Sequence, residues 1–164
     1  MRNSRLHWLF PALALFAAPA FAAVDVSFAD PDRFTDIEAS NASDRKQTLD
    51  EISHHLARLG DRYLPRGEAL AIEVLDVDLA GRVRWTPSAR PIRIVNDRGD
   101  APSLRVRYTL TSGGKVLDSR EELVTDTGFL TFRGYAYSNE SLSYEKRMLD
   151  KWFHERFADK RALR

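Results

Sequence analysis

Alternating apolar and polar residues predict an antiparallel hairpin over residues 103–124. The two runs flank Gly113 and Gly114, and a Gly-Gly pair accepts positive φ at both central positions of a two-residue turn. If Ser112 pairs with Lys115 across this turn, an uninterrupted register puts three pairs on the buried face: Leu110–Leu117, Tyr108–Ser119 and Leu104–Leu123.

The other face of the hairpin is predicted to be charged and solvated. Its pairs in the same register are Arg105–Glu122, Thr109–Asp118, Thr111–Val116 and an unfavourable Arg107–Arg120. Cross-strand neighbours of opposite charge stabilise a sheet, whereas like charges weaken it. The mismatch on the apolar face is Val106 opposite Glu121. We expect this carboxylate at the sheet margin, because unpaired charges are rarely buried.

Other stretches predict further strands. Residues 24–28 alternate and predict a short first strand. Residues 69–79 are the most apolar stretch, but their parity changes. Even-numbered apolar residues up to Val74 share one face, and odd-numbered ones from Leu75 share the other. This change predicts a β-bulge near Val74, or a strand buried on both faces for part of its length.

The chain after residue 79 predicts short strands interrupted by prolines. Ala80 and Gly81 are expected to turn the chain, and the pattern continues with Val83 and Trp85. Residues 92–95 predict another short strand, and the nearby prolines indicate an edge position because proline supplies no ladder donor.

Apolar residues at helical spacing predict two helices. The first is expected to begin at Ser43 or Thr48, and Gly60 near its end and Pro65 after Tyr63 are expected to close it. Its apolar stripe is Leu49, Ile52, Leu56 and Leu59. The second is expected to begin at Ser141 or Ser143, with this apolar side: Met148, Leu149, Trp152, Phe153 and Phe157.

The order of the predicted elements is strand, helix, several antiparallel strands, helix. This order indicates an α+β fold, with one antiparallel sheet of about five strands and two helices on a face. Residues 23–164 contain no repeat, low-complexity tract or linker. They are therefore predicted to form a single domain.

Residues 1–22 have the composition of a cleavable signal peptide. Arg2 and Arg5 precede an apolar stretch, and Ala20-Phe21-Ala22 matches an A-x-A cleavage site, so we expect cleavage after Ala22. The apolar stretch is too short to span a bilayer and no second one follows. With no cysteine in the chain, disulfides, thiol chemistry and a lipid anchor are excluded. We expect a soluble periplasmic protein, with release from the cell left open.

Charge and motifs exclude several function classes. The chain has 25 Lys and Arg against 24 Asp and Glu, so nothing in the balance indicates nucleic-acid binding or a polybasic membrane surface. The chain lacks nucleophile-elbow, phosphate-loop, dinucleotide-binding and zinc-protease motifs. No catalytic residue and no cofactor is therefore predicted.

Asp76 and Asp78 are the candidate metal ligands, with Glu73 nearby. The two aspartates share one face of the predicted strand, and carboxylate oxygens suit hard cations. The chain has no EF-hand pattern here. The alternative is that these charges mark the solvent side of a strand end and are neutralised by nearby arginines: Arg82, Arg84, Arg90 and Arg93.

Two histidines of the first helix follow carboxylates at helical spacing. Asp50 precedes His54 and Glu51 precedes His55, each by four residues. This spacing puts each pair on one helix face, where it could hold part of a metal site. The adjacent histidines point about 100° apart, so ordinary surface contacts are the alternative.

An aromatic segment is the candidate binding surface. Phe129, Phe132, Tyr135 and Tyr137 lie among glycines in a stretch typical of a loop, and exposed aromatic loops recognise peptides or glycans. The alternative is that these rings pack under the final helix.

The chain resembles a bacterial secreted family catalogued as domain of unknown function 3016. The residues that carry the resemblance are 26–31 (VSFADP), 71–81 (AIEVLDVDLAG), 104–110 (LRVRYTL) and 144–153 (YEKRMLDKWF). The resemblance implies an exported or periplasmic bacterial protein. It implies no activity and no catalytic residues.

These observations favour a non-enzymatic envelope module that binds a protein or another envelope component through a sheet edge or the aromatic segment. The alternative is a periplasmic protein that binds a small ligand or a metal. A hydrolase is a third possibility. The sequence leaves the partner, the ligand and the oligomeric state open.

Overall fold

The computed structural model describes residues 23–36, 42–86, 89–96, 100–131 and 140–159. These residues form an α+β domain, as predicted. The strands are β1 (Ala23–Phe28), β2 (Glu68–Asp78), β3 (Arg82–Thr86), β4 (Ala89–Ile94), β5 (Ser103–Ser112) and β6 (Lys115–Thr125). The helices are a 3₁₀ turn (Pro31–Arg33), α1 (Ala42–Tyr63), α2 (Ser143–Phe153) and a π-helical turn (His154–Ala158) that continues α2.

The main sheet has four strands in the order β1-β2-β5-β6. The prediction of a wholly antiparallel sheet of about five strands is wrong in two respects. Strand β1 runs parallel to β2. The 22-residue helix α1 carries the chain back to the end of the sheet at which β1 begins, so β2 can run in the same direction. Strands β3 and β4 leave the sheet and form a separate two-stranded ribbon.

Both helices pack on one face of the main sheet and enclose the core with it. The predicted stripe of α1 is buried, and so is the predicted apolar side of α2 with its π-helical turn. Residues without solvent exposure come from helices and strands alike: Leu56, Val74, Leu104, Val106, Leu149 and Phe153. Rings of Trp152, Phe153 and Phe157 pack edge-on or tilted against one another and close the core at its C-terminal end.

Gly60 lies inside α1 instead of ending it, since the helix continues to Tyr63. A Cβ atom at Gly60 would lie 2.1 Å from Cγ2 of Val24 in β1, far inside van der Waals contact. The glycine therefore lets α1 approach β1 closely. Its role is to permit packing, and the helix ends at Tyr63, before Pro65, as predicted.

The predicted bulge in β2 is confirmed. The register between β2 and β5 shifts between Val74 and Asp76, so Leu75 is the extra residue. Val74 and Val77 are both fully buried although their numbers differ in parity. A bulged residue changes which residues of a strand face the core, and it explains the change of parity in the sequence.

The turn of the β5–β6 hairpin is confirmed, but the predicted register is wrong. Gly113 and Gly114 have φ values of 55° and 78°, and Ser112 pairs with Lys115. The register then shifts by one residue, because Leu110 pairs with Asp118 and Leu117 becomes the extra residue of β6. A one-residue shift exchanges the two faces of a strand.

The bulge in β6 replaces the predicted pairs beyond it. Arg107 now pairs with Glu121 instead of Arg120, and the unfavourable like-charge pair disappears. Leu117 and Leu123, which were expected in the core, are exposed. The core-side residues of β6 are opposite the buried residues of β5 and are mostly polar: Asp118, Arg120, Glu122 and Val124.

Candidate functional site

The predicted aromatic surface is only partly described by the structure. Phe129 is buried, and its ring packs edge-on against Tyr144 at a centroid distance of 5.3 Å. Phe132, Tyr135 and Tyr137 lie outside the described residues. Phe129 thus packs at the start of α2, and a binding surface on the other three residues stays a prediction.

The predicted metal ligands lie at the bulged end of β2. Asp76 accepts hydrogen bonds from the backbone N and Oγ1 of Thr35, both at 2.7 Å. Asp78 is half-buried, and burial raises the pKa of its carboxyl group, with the nearby charges of Asp36 and Asp76 acting in the same direction. No cluster of three metal-ligating side chains occurs in the described part of the chain. A cation at Asp76 and Asp78 stays a prediction.

Acidic residues near this end of β2 bind arginines of the ribbon, though not the acids that the sequence analysis named. Arg93 donates to Oδ2 of Asp36 at 2.6 Å and to the carbonyl of Gly81 at 3.2 Å. Arg82 donates to Oδ1 of Asp100 at 2.7 Å. These ion pairs fix the ribbon to the body of the domain.

Glu145 connects the first turn of α2 to the turn that follows β2. Its Oε1 accepts a hydrogen bond from the backbone N of Ala80 at 2.7 Å, and the residue is only 4% exposed. Burial raises the pKa of this carboxyl group, because the charged form loses its hydration. The hydrogen bonds from the backbone act in the opposite direction and are outweighed.

The raised pKa of Glu145 predicts a pH-dependent contribution to stability. The protonated carboxyl group stabilises the fold fully below the unfolded value of 4.5, and this contribution is lost as pH rises through the higher folded pKa. Glu145→Gln keeps an acceptor for Ala80 and cannot titrate. We expect the stability of the wild type relative to Glu145→Gln to fall as pH rises above 4.5, measured by urea unfolding across pH. A relative stability that rises with pH would contradict this assignment.

His55 is held in the helix interface and makes no open site. Its Nε2 lies 2.9 Å from Oδ1 of Asp150 and 3.1 Å from the carbonyl of Lys146. Its Nδ1 accepts from Arg58 at 3.1 Å, because a guanidinium can only donate. These contacts assign the proton of the neutral ring to Nε2. Glu51, the predicted partner, instead forms an ion pair with Lys146.

The outer edge of β6 is an accessible feature of the described surface. We call this strand, Lys115–Thr125, the β6 edge. It pairs with β5 on one side, and no described strand pairs with its other side. Three large apolar side chains on it are exposed: Val116, Leu117 and Leu123. This feature could not be predicted from the sequence, because the apolar pattern assigns the two leucines to the core.

The core side of the β6 edge is fixed by polar contacts. Oε1 of Glu122 accepts a hydrogen bond from Nε1 of Trp152 at 3.0 Å, and its Oε2 accepts one from Arg156. The hydroxyl of Tyr108 donates to Asp118 at 2.9 Å, and burial of this tyrosine raises its pKa. The strand is thereby anchored to β5 and α2, while its free side faces outward.

A second candidate is a surface depression of about 610 Å³ beside the start of α2. Its walls carry hydroxyl, carboxylate and cationic groups: Thr125, Asp126, Thr127, Gly128, Thr131, Arg147 and Lys151. Arg147 donates to Asp126 and to the carbonyl of Gly128. The mixture of donors and acceptors suits a small polar ligand.

No helix in the described residues is long and apolar enough to cross a bilayer.

Comparison with known proteins identifies a family. No curated protein and no solved structure matches the chain. A family model described as protein of unknown function (DUF3016) matches residues 22–155. This match runs from β1 to the second residue of the π-helical turn, so it includes all six described strands and the helices α1 and α2. The chain therefore belongs to the DUF3016 family of proteins of unknown function.

Proposed function

We propose that this chain is a non-enzymatic interaction module of the bacterial envelope, and that it binds an extended segment of a partner protein along the β6 edge. The single observation behind this proposal is a strand edge that pairs with no described strand and carries exposed apolar side chains. Extended peptides commonly add a strand to such an edge, with main-chain hydrogen bonds for affinity and side-chain contacts for specificity.

The length of the β6 edge supports this proposal. The strand has 11 residues, so beyond the bulge at Leu117 it offers a run long enough for an extended segment to pair along it. Val116 and Leu123 are 63% and 57% exposed. A partner strand beside β6 would cover part of this apolar surface, and burial contributes about 25 cal/mol for each Å² removed from water.

The anchoring of β6 also supports the proposal. Contacts of Glu122 with Trp152 and Arg156 hold the strand from the core side. A docking element that is already ordered loses little conformational entropy when it binds. The partner segment would carry most of the ordering cost, as an extended peptide does in strand addition.

The proposed location is the periplasm, after removal of residues 1–22. This part of the proposal rests on the basic, apolar and A-x-A regions of the sequence. Every strand among the described residues lies after the expected cleavage site. Cleavage there would leave these strands intact.

Site-specific photo-crosslinking in cells tests the β6 edge. A photoreactive phenylalanine analogue would replace Leu117 or Leu123 in one experiment and His54, an exposed residue of α1, in the control. We expect a protein adduct of one size from both β6 positions and none from position 54. Adding Leu123→Glu to the variant with the analogue at position 117 is expected to reduce the adduct several-fold.

Two outcomes would contradict the proposal. Adducts of equal yield from position 54 would indicate non-specific proximity, and the absence of adducts from both β6 positions would exclude a bound partner there. The N-terminal sequence of the same periplasmic protein is expected to begin at Ala23. Protein that keeps residues 1–22 and stays in the cytoplasm would contradict export.

The depression beside α2 favours a second function, the binding of a small polar ligand. Lys151 lines it with Arg147 and Asp126, so both signs of charge are available to orient a ligand. Thermal-shift screening of small polar compounds would distinguish the two functions. A compound that raises the Tm of the wild type, and not that of Lys151→Ala, would favour ligand binding.

A further inference from the structure

The ribbon formed by β3 and β4 has one face of mixed basic and apolar character. Arg82 pairs with Ile94, and Arg84 pairs with Ile92. Residues directly opposite in an antiparallel pair share a face. Two guanidinium groups and two isoleucine side chains therefore alternate on one surface, which we call the ribbon face (Arg82, Arg84, Ile92 and Ile94).

The ribbon face is accessible. Ile92 and Ile94 are 51% and 36% exposed, and the side chain of Arg82 is 78% exposed. Arg84 is also exposed and forms no ion pair with any residue that the structure describes. Exposed apolar side chains that form a patch rimmed by polar groups mark interaction sites.

The local charge of this segment differs sharply from that of the chain. Between Arg82 and Asn96 the sequence has four arginines and no aspartate or glutamate, although the whole chain has 25 basic and 24 acidic residues. Two of the four arginines are paired with aspartates outside this segment: Arg82 with Asp100 and Arg93 with Asp36. On the ribbon face the unbalanced positive charge is therefore that of Arg84. This unbalanced charge attracts an anionic partner and increases its association rate.

The base of the ribbon is held in place. Arg82 donates through Nε to Asp100, which is buried, and the backbone N of Gly81 donates to the carbonyl of Asp100 at 3.0 Å. A Cβ atom at Gly81 would lie 2.4 Å from the carbonyl oxygen of Ile94. This close approach requires glycine, so Gly81 packs tightly against the end of β4 at the base of the ribbon.

The ribbon face borders a depression of about 360 Å³. Its walls are Arg82, Val83, Arg84, Ile94 and Asn96. A concave surface with two planar guanidinium groups suits carboxylates, which a guanidinium binds through two parallel hydrogen bonds. A flat lipid surface would contact such a depression poorly, since only two apolar side chains are available to enter the bilayer.

We propose that the ribbon face binds an acidic segment of a partner protein, in which carboxylates contact Arg82 and Arg84 while apolar side chains cover Ile92 and Ile94. This site lies on a different sheet from the β6 edge and does not require that edge to be occupied. Binding is expected to weaken as salt is added, because the ionic part of the attraction is screened.

Selection from a displayed library of random peptides tests the ribbon face without a known partner. The mature wild-type chain is the target, and two charge reversals are the comparison. Arg84→Glu changes the ribbon face, and Arg105→Glu is its matched control because Arg105 is an exposed arginine of β5. Far-ultraviolet circular dichroism and the Tm would verify that both variants are folded.

We expect the selected peptides to combine aspartate or glutamate with apolar residues. Arg84→Glu is expected to weaken the best peptide at least 10-fold, and Arg105→Glu less than 2-fold. Ile92→Ser, which keeps every charge, is expected to weaken it by an intermediate factor. This pattern would locate the peptide on the ribbon face. It would also show that ionic and apolar contacts both contribute to the affinity.

Several outcomes would overturn the proposal. These are selected peptides without acidic residues, the same loss of affinity from Arg105→Glu as from Arg84→Glu, and a selection that enriches no peptide. Sedimentation with phosphatidylglycerol vesicles tests whether the ribbon face binds an anionic lipid surface and not an acidic protein segment. Vesicle binding that Arg84→Glu abolishes, with no acidic peptide recovered, would show that this face binds lipid and would exclude the protein segment.

Discussion

Replacing Glu122 by alanine is expected to lower the free energy of unfolding by about 2–4 kcal/mol, because two donors lose their acceptor at once. Glu122 accepts hydrogen bonds from Trp152 and Arg156 on the core side of β6, and its side chain is only 21% exposed. Alanine would leave a partly buried guanidinium without its counter-charge. Urea unfolding monitored by tryptophan fluorescence and circular dichroism measures the change.

Glu121→Ala is the matched control, because it removes the same type of side chain one residue away. Glu121 lies on the opposite face and contacts Arg107, which keeps Glu73 as a second partner. Its loss is expected to cost about 0–1 kcal/mol, as for other exposed ion pairs. In a hairpin without the bulge the two glutamates would exchange faces. A larger effect from Glu121→Ala would therefore contradict the bulged register.

Gly60→Ala is expected to destabilise the domain by about 1–3 kcal/mol through overpacking. The sign is informative, because the same change at an exposed position inside a helix stabilises by about 1 kcal/mol. At Gly60 the new methyl group would lie 2.1 Å from Cγ2 and 3.2 Å from Cβ of Val24. Rotation of Val24 cannot relieve the second contact, so α1 must move away from β1. Thermal and urea unfolding measure the loss.

A second substitution separates this clash from a general effect on the helix. Val24→Ala removes the methyl group that the new side chain would strike, so it should recover part of the loss in the Gly60→Ala background. By itself, Val24→Ala is expected to destabilise slightly, because it removes apolar contacts at the edge of the core. Gly60→Ala that stabilises the domain would show that α1 and β1 are not in close contact.

Local features of the fold could be predicted from the sequence where one physical requirement dominates. The Gly113-Gly114 turn needs two positive φ values, and only a few dipeptides supply them. The bulge at Leu75 follows from the change of parity in a strand that faces a core. The helical spacing of apolar residues located α1 correctly, because one face of this helix must be buried against the sheet.

The register of the β5–β6 hairpin could not be predicted, because β6 has apolar residues of both parities. Leu117 and Leu123 gave a consistent core face without a bulge, and Val116 and Val124 were the apolar residues of the other face. The contacts that decide the register are made to Glu122 by Trp152 of α2 and by Arg156 of the π-helical turn. Long-range contacts of this kind leave no periodic signal in the strand itself.

The direction of β1 relative to β2 also could not be predicted from the sequence pattern. Alternation over Ala23–Phe28 indicates a strand with one buried face, and it is the same for a parallel and an antiparallel partner. The candidate sites show a similar limit. Arg82 and Arg84 were visible as charges in the sequence, but their alternation with Ile92 and Ile94 on one face appears only when β3 and β4 are paired.

The parallel pairing of β1 has a consequence for the order of folding. The β5–β6 hairpin joins residues adjacent in the chain, whereas Ala23 of β1 must find Ala69 of β2 across the whole of α1. Closing such a long loop before its contacts form is slow. We therefore infer that the hairpin assembles early and that β1 docks late. Perturbing the contact of Gly60 with Val24 would then accelerate unfolding more than it slows refolding.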